Sequence, residues 1–298
     1  MENVISVKNL SQRYGRGRVI YHDLSFDVPK GSILGLLGKN GTGKTTTINI
    51  LMGFLRPQAG ECRIFGEDIT TMPPATRARI ALLLEGHVQY SFMTIAEIER
   101  FYSRFYLRWN RDAYYGLMEK LHVSPGQKIS SMSNGQRSQV ALGLILAQNA
   151  DLLMLDDFSL GLDPGYRRLF VEYLRDFVKS EGKTVFMTSH IIQDLERLVD
   201  DCIILDYGKI LTQQPVASLM RDLHRCTYLP ASADEPMPEG IEGIYSPWKN
   251  HDDREFYSFS DEAALRQKLN EAGIKAEKLT AHAVPSLEDA FIGLTGRY

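Results

Sequence analysis

Long apolar segments are missing from this chain of 298 residues. No stretch approaches the roughly 18 to 20 consecutive apolar residues that a membrane-spanning helix needs. The opening MENVISVKNLSQRYG also lacks a basic segment followed by an apolar run. We therefore expect neither a membrane span nor a secretory signal, but a soluble protein that reaches any membrane by docking.

The chain also has few cysteines and little net charge. The three cysteines are widely spaced, and the formal net charge is −3 from 34 basic and 37 acidic residues. An odd cysteine number without a C-x-x-C pair argues against a disulfide framework or a zinc site and favours small apolar side chains in a reducing cytosol. The near-neutral balance gives no strong field for nucleic acid or acidic lipid. A hydrophobic content of 44% is enough for one large core and a smaller second one.

What is present begins with short apolar runs typical of strands. Alternating residues at 4–7 and 19–28 predict strands, and SILGLL at 32–37 is typical of a buried parallel strand. A glycine-rich loop and a predicted helix at 44–53 follow it. Further apolar runs are separated by predicted helices near 165–180 and 190–199; the runs are LLML at 152–155, TVFM at 184–187 and CIIL at 202–205. This alternation predicts an α/β fold with a mostly parallel sheet covered on both faces.

Two further regions have a different character. Residues 90–150 are predicted to be mostly helical, and the aromatic stripe of Phe101, Phe105 and Trp109 is interpreted as core packing. Prolines and acids at 230–247 predict a boundary or linker. Beyond it, a small α+β domain is expected, with helices capped by Asp261 and Ser286, the latter in a capping box with Asp289. The predicted domains are 1–225 and 226–298.

The strongest motif is a complete G-x-x-x-x-G-K-T phosphate loop between a predicted strand and a predicted helix. In such a loop, glycines let backbone N–H groups point at phosphate oxygens, and the helix adds its positive end. Lys44 is expected to contact the β- and γ-phosphates, and the Thr45 hydroxyl to ligate Mg²⁺. The chain is therefore predicted to bind a nucleoside triphosphate. The predicted ATP-binding loop residues are Gly38, Lys39, Asn40, Gly41, Thr42, Gly43, Lys44, Thr45 and Thr46.

Two carboxylates end the LLML strand. Asp156 is expected to hold Mg²⁺, directly or through water, and Asp157 to orient and deprotonate the attacking water. Alone, a hydrophobic strand that ends in acids is weakly informative. Following a phosphate loop, it predicts an ATPase.

Together these motifs resemble the ABC ATPase family. The segment MSNGQR at 132–137, called the signature below, is similar to the family's LSGGQ sequence. Tyr14 matches the aromatic that stacks on adenine, Gly161-Leu162-Asp163 the D-loop, and His190 the switch histidine contacting the γ-phosphate. Taken singly, Tyr14 would be interpreted as an exposed turn residue and His190 as structural; the ordered set supports the family roles. The resemblance covers about residues 3–220.

The resemblance implies a fold and a mechanism. The fold is a phosphate-loop NTPase core of ABC type, with a mostly parallel sheet, an antiparallel N-terminal β subdomain, a helical subdomain at about 90–150 and a small C-terminal α+β domain. Two such domains pair head to tail around ATP and Mg²⁺, as a homodimer or a heterodimer. The signature then contacts ATP in trans through Ser133, Asn134, Gly135 and Gln136. A transmembrane permease subunit is the implied partner, at the cytoplasmic face of the membrane.

The sequence departs from the family at four positions. Asp157 stands where Glu is usual, which predicts weak but real hydrolysis. Glu85 occupies the Q-loop glutamine position, where two interpretations are open: a catalytic contact with Mg²⁺ or water, and a solvated loop acid. Asn134 replaces a signature glycine, and we expect it to keep the loop's shape because Asn tolerates left-handed backbone. Phe158 replaces a proline and has no interpretation from the sequence.

The kind of ABC protein is also constrained. The tail at 285–296 resembles that of bacterial exporter subunits encoded apart from their permeases, which favours export. Residues 90–95 are a predicted docking face for the permease, with ordinary packing as the alternative. No nucleic-acid partner is expected. The main alternative is a non-transport ABC ATPase that regulates nucleic acid or ribosomes, and a further one, motivated by Asp157, is a nucleotide-gated structural module with negligible hydrolysis.

Overall fold

The structure is a computed structural model and describes residues 2–15, 17–84, 90–158, 162–189, 191–232 and 235–296. The chain divides into two compact units, Met1–Ile210 and Leu211–Tyr298. The division falls earlier than the predicted boundary at residue 225. Helix Val216–Asp222 therefore lies in the second unit, where it contacts that unit's last strand and last helix.

The elements of the described residues follow in chain order. The strands are β1 (Asn3–Tyr14), β2 (Arg18–Pro29), β3 (Ile33–Gly38), β4 (Ala59–Ile64), β5 (Glu67–Asp68), β6 (Ile80–Leu83), β7 (Leu152–Leu155), β8 (Thr184–Thr188), β9 (Asp201–Asp206), β10 (Lys209–Pro215), β11 (His224–Pro230), β12 (Tyr245–Asn250), β13 (Asp253–Ser258) and β14 (Ala276–Ala283). The helices are α1 (Lys44–Leu51), α2 (Pro74–Arg77), α3 (Ile95–Tyr102), α4 (Arg111–Lys120), α5 (Asn134–Ala147), α6 (Pro164–Glu181), α7 (Ile192–Leu198), α8 (Val216–Asp222), α9 (Glu262–Glu271) and α10 (Leu287–Thr295), with a 3-10 turn at Ile129–Ser131.

An antiparallel sheet with the order β2-β1-β4-β5 forms the N-terminal part of the first unit. Alternation along β1 buries Ile5 and Val7 on one face, and Leu10 is buried after a register shift between Val7 and Leu10. They join a core cluster that also contains Leu34 of β3 and Phe186 of β8. The predicted antiparallel β subdomain is therefore present.

The second sheet has the order β10-β9-β3-β8-β7-β6, and the pairs from β6 to β9 are parallel. Strands β3, β7 and β8 are almost entirely buried, as expected for a parallel sheet with both faces covered. Their carboxyl ends lie at one edge because parallel strands run in the same direction. That edge carries the phosphate loop after β3, the two carboxylates after β7 and Thr188 at the end of β8. The α/β prediction is confirmed.

The middle region is helical as predicted, but its aromatic stripe is not a continuous helix face. Helix α3 ends at Tyr102, before Phe105 and Trp109 are reached. Phe105 is 66% exposed, so the core-packing interpretation is wrong for this residue. Trp109 is half-buried and donates its indole N–H to the buried Glu99 carboxylate at 2.9 Å.

The second unit has its own antiparallel sheet, with the order β12-β13-β11-β14. Its core includes Cys226, Phe256 and Leu265. The proline-rich segment 230–247 connects β11 to β12 within this unit instead of joining two units. Asp261 caps α9 by accepting the Ala264 N–H at 2.8 Å, as predicted.

The start of α10 differs from its prediction in one contact. Ser286 accepts the Asp289 N–H at 3.1 Å, as a capping residue should. The Asp289 carboxylate does not complete a capping box; it accepts the Tyr257 hydroxyl at 2.9 Å. The shorter acid is therefore used to hold α10 against β13.

Membrane-spanning helices and disulfides are the two features that the sequence argues against. In that part of the chain, no helix combines the length and the apolar character that crossing a bilayer requires. The three cysteines are free thiols in buried positions, and burial raises the pKa of each thiol to about 12. They are therefore unreactive apolar side chains at neutral pH.

Candidate active site

The phosphate loop leaves β3 at Gly38 and enters α1 at Lys44, and its turn depends on glycine. Gly41 and Gly43 have φ angles of 80° and 105°, which side-chain-bearing residues rarely adopt. A Cβ atom at Gly43 would lie 2.5 Å from Ile20 Cγ2, and one at Gly38 would lie 2.8 Å from the Leu205 carbonyl oxygen. The backbone is therefore packed too closely for any side chain at these two positions.

Lys44 is the first residue of α1, and its buried side chain reaches back to the start of the loop. Its Nζ donates to the Gly38 carbonyl at 2.7 Å and to the Lys39 carbonyl at 3.3 Å. Burial lowers the pKa of Lys44, and the negative charges of Asp157 and Asp156 oppose this effect. A positive charge is thus placed next to the carboxylates and held by carbonyl groups that phosphate oxygens can replace.

A cavity of about 390 Å³ opens beside the loop. Tyr14, at the end of β1, lines the cavity and is 47% exposed, and its hydroxyl lies 3.3 Å from Thr46 Oγ1. The structure therefore brings Tyr14 to Thr46 of the phosphate loop, 32 residues away in sequence. The lining residues are Tyr14, Ile20, Asn40, Gly41, Gly43, Lys44, Thr45 and Thr46.

The two carboxylates meet the loop through hydroxyl groups. Thr45 Oγ1 lies 3.3 Å from Asp156 Oδ1, and Thr188 Oγ1 donates to the same oxygen at 2.7 Å. Thr188 also accepts the Asp157 N–H at 3.1 Å, which fixes Asp157 with a positive φ of 50°. Sequence reasoning missed Thr188; the available signal was a hydroxyl residue at the end of an apolar strand.

These oxygens fit a magnesium ion that arrives with its nucleotide. Within the described residues, no group of three or more His, Cys, Asp or Glu side chains could hold a metal. Thr45 and Asp156 supply two hard oxygens at one point, close to the phosphate loop. Mg²⁺ is commonly held by one or two protein ligands, with phosphates and waters completing its coordination.

The signature begins α5. Ser133 caps the helix by accepting the Gln136 N–H at 3.2 Å, and its own N–H donates to Gln136 Oε1 at 3.1 Å. Asn134 is the first residue of α5 and its φ is not positive, so the tolerance of Asn for left-handed backbone is not used at this position. Ser133 and Asn134 are exposed, and no signature residue lines the phosphate-loop cavity in the described part of the chain.

After the two carboxylates, the described residues Phe158 and Asp163 both make contacts with α6. Asp163 caps α6 by accepting the N–H groups of Gly165 at 3.0 Å and Tyr166 at 3.1 Å. Phe158 is buried and stacks on Phe170 of α6, with ring centroids 4.8 Å apart. This contact explains an aromatic residue at that position.

Three predicted positions, Glu85, Gly161 and His190, lie outside the described residues. Their roles stay predictions. What the described part assembles is a phosphate loop, a buried lysine, two carboxylates and two threonines at one sheet edge, the arrangement of a phosphate-loop ATPase.

Comparisons with known proteins agree with this class. The family described as "ABC transporter" matches residues 21–159. "Nod factor export ATP-binding protein I" of Ralstonia nicotianae is 30% identical over 99% of this chain and 94% of its own length. The protein of the same name from Burkholderia lata is 29% identical over 98% and 97%.

Solved structures share the fold of most of the chain. The "ATP binding subunit of ABC transporter" is 26% identical, with a TM-score of 0.64 over 73% of this chain and 92% of that one. A "bacterial Atm1-family ABC exporter with ATP bound" is 22% identical and shares the fold, with a TM-score of 0.62 over 73% of this chain and 39% of that one.

The chain belongs to the ABC transporter family. It is an ATP-binding subunit with ATPase activity, which confirms the family resemblance and the predicted nucleotide.

Proposed function

We propose that this subunit powers export through a separate transmembrane permease by pairing head to tail around ATP. The observation that carries the proposal is the arrangement of Lys44, Thr45, Asp156 and Asp157 at one sheet edge, while the signature lies away from their cavity. Export is supported by relatives named as export ATP-binding proteins, which align with the second unit as well as the first.

The triphosphate is expected to lie in the phosphate-loop cavity. The loop N–H groups and the Lys44 ammonium bind its oxygens, and the Tyr14 ring stacks on the base at the exposed rim. Mg²⁺, held by Thr45 and Asp156, would neutralise charge that develops on the transferred phosphoryl group.

Asp157 is the proposed general base. The Thr188 hydroxyl and the left-handed backbone of Asp157 hold it beside Lys44, at the end of a buried strand. Its side chain is one methylene shorter than the usual glutamate, which supports slow hydrolysis. Glu85 and His190 are the proposed residues that orient the water and contact the γ-phosphate.

The exposed signature is proposed to complete the site of a second copy or of a related chain. Ser133 and Asn134 present a helix start, where N–H groups and the helix dipole favour a phosphate. These residues do not line the cavity of their own chain. We therefore expect them to contact the nucleotide that is bound in the cavity of the second copy or related chain. Asp163 is the proposed D-loop residue of the same interface.

A surface for the permease is supported by exposed aromatic side chains. The aromatic surface is here defined as Tyr90, Phe92, Phe101 and Phe105. The Phe101 ring makes edge contacts with Tyr90 and Phe105, at centroid distances of 5.3 Å and 5.2 Å, and the Phe92 ring lies tilted against Tyr90. Phe92 is 69% exposed and Phe105 66%. Contiguous exposed apolar groups mark interaction sites, and a permease would hold the subunit at the cytoplasmic membrane face.

The test is recovery of the partner from detergent-solubilised membranes. The tagged chain is expected to retain a polytopic membrane protein, and the double change Phe92→Ser with Phe105→Ser should lose it. Tyr207→Ser is the matched control, because Tyr207 is 71% exposed but lies between β9 and β10. Recovery of ribosomes or nucleic acid alone would instead support the non-transport alternative and overturn the proposal.

A further inference from the structure

The signature and the D-loop end of α6 are joined inside one protomer, at Tyr166. The Tyr166 N–H donates to the Asp163 carboxylate at 3.1 Å. The Tyr166 ring lies so close to Gly135 that a Cβ there would be 2.4 Å from ring atom Cδ2. One residue thus contacts both segments that the proposed function turns toward a partner's nucleotide.

A second bond fixes this junction from the signature helix. Gln139 lies one turn beyond Gly135 on the same face of α5 and is completely buried. Its Nε2 donates to the Tyr166 carbonyl oxygen at 2.7 Å. The start of α6 is therefore held by Asp163 at its N–H, by Gln139 at its carbonyl and by Gly135 at its ring.

The second polar atom of the Gln139 side chain, Oε1, indicates that this residue positions Tyr166 rather than stabilises the fold. Its Oε1 is buried and accepts no hydrogen bond from any residue that the structure describes. A buried polar atom without such a bond costs free energy, and this cost offsets the stability that the Nε2 bond contributes. An apolar side chain of the same volume is therefore expected to leave the stability of the fold nearly unchanged. What an apolar side chain cannot do is hold the Tyr166 carbonyl.

We propose that Gln139 is a positioning residue: through Tyr166 it keeps the signature in register with Asp163, so that both reach the partner's nucleotide together. Gln139 itself contacts no nucleotide. The inference rests on the proposed head-to-tail pairing. It assigns to one protomer a rigid connection between two segments that act in trans.

The test uses Gln139→Met, which keeps the length and volume but removes the amide. Parent and variant are both full chains that also carry Asp157→Asn, so that ATP hydrolysis does not separate the two paired copies. Sedimentation with ATP and Mg²⁺ measures pairing, and a fluorescent ATP analogue at low protein concentration measures binding to the monomer. We expect pairing to weaken about tenfold or more, because small displacements at a site have large effects. Monomer ATP affinity and Tm should stay unchanged.

The control is Gln148→Met, the same change at a buried glutamine that ends the same helix, about 14 Å away along its axis. It should pair as the parent does. Equal pairing by Gln139→Met overturns the inference, and so does a fall in Tm together with monomer ATP affinity, which would indicate a structural role.

Gln139→Leu keeps the test decisive should Gln139→Met not fold. It also removes the amide that donates to the Tyr166 main-chain carbonyl, a bond that no change of the Tyr166 side chain would remove. It is expected to weaken pairing in the same way, and parent-like pairing contradicts the inference. A parent that never pairs overturns the proposed function and this inference with it. A pairing parent with an equally pairing variant overturns the inference alone.

Discussion

Gly43→Ala tests how strictly the phosphate loop depends on its backbone. Gly43 precedes α1 with a φ of 105°, outside the left-handed region that other residues occasionally adopt. The added Cβ would lie 2.5 Å from Ile20 Cγ2 and 2.8 Å from Tyr21 Cε1. Ile20 and Tyr21 are both buried, so neither side chain can move aside without disturbing the core.

The expected cost has two parts. Holding alanine at such a φ costs about 1–3 kcal/mol, and overpacking a filled core costs about 1–3 kcal/mol more. The sum is about 2–6 kcal/mol if the loop keeps its shape. At roughly 2–4 °C per kcal/mol for a domain of this size, the Tm of the first unit should fall by about 4–24 °C. If the loop moves instead, its N–H groups leave the phosphates and ATP binding is lost.

The assay combines thermal unfolding with ATP binding at saturating Mg²⁺. Gly126→Ala is the control, because Gly126 is exposed and an added Cβ there meets nothing within 4 Å. It should leave Tm and ATP affinity unchanged. A Gly43→Ala protein with parental Tm and parental ATP affinity would refute the reasoning, since either the strain or the displacement has to appear.

Three further outcomes are expected. Asp157→Asn should lower phosphate release by about 10²–10⁴-fold with ATP binding retained; an unchanged rate would assign the base elsewhere. Tyr14→Ala should weaken ATP binding by about 5- to 150-fold, the range for loss of base stacking, whereas Tyr14→Phe should not; equal titrations of both variants would contradict stacking. Burial would raise the pKa of Asp151, but the guanidinium groups of Arg108 and Arg79 outweigh it and lower that pKa to about 2. The resulting stabilisation is present above the ordinary pKa of about 4 and lost as the pH falls toward 2, so Asp151→Asn should lower Tm more at pH 7 than at pH 2.5.

The phosphate loop and the carboxylates could be predicted because their signals are local. SILGLL and LLML are short apolar runs, and each is followed directly by the residues that carry the chemistry. Parallel strands then bring Gly38 and Asp156 to one edge, whatever the order of the strands between them. The sequence therefore predicts the site before the strand order is known.

The contacts that complete the site depend on that order. Thr188 reaches Asp156 only because β8 lies between β3 and β7, which the apolar runs do not specify. Likewise, Tyr166 lies on Gly135 through the packing of α5 against α6, between residues 31 positions apart. No local pattern predicts either contact.

The aromatic stripe is a local sequence pattern that gave a wrong prediction, because tertiary contacts override it. Its spacing continues through Trp109, but the chain leaves the helix after Tyr102, and the Trp109 indole bonds to the buried Glu99 carboxylate instead. Phe105 is left facing solvent. Its exposure is what turns a predicted core residue into part of the aromatic surface.

Two of the four departures from the family pattern, Asn134 and Phe158, fit the surrounding structure without distortion. Asn134 occupies ordinary helix geometry, and Phe158 fills its position by stacking on Phe170. Asp157 is different, because Thr188 and a left-handed backbone fix its start while its side chain is one methylene shorter than glutamate. Neither Asn134 nor Phe158 distorts the described residues around the site, so among the three departures that the structure describes, the reach of the Asp157 carboxylate is the one expected to lower the hydrolysis rate.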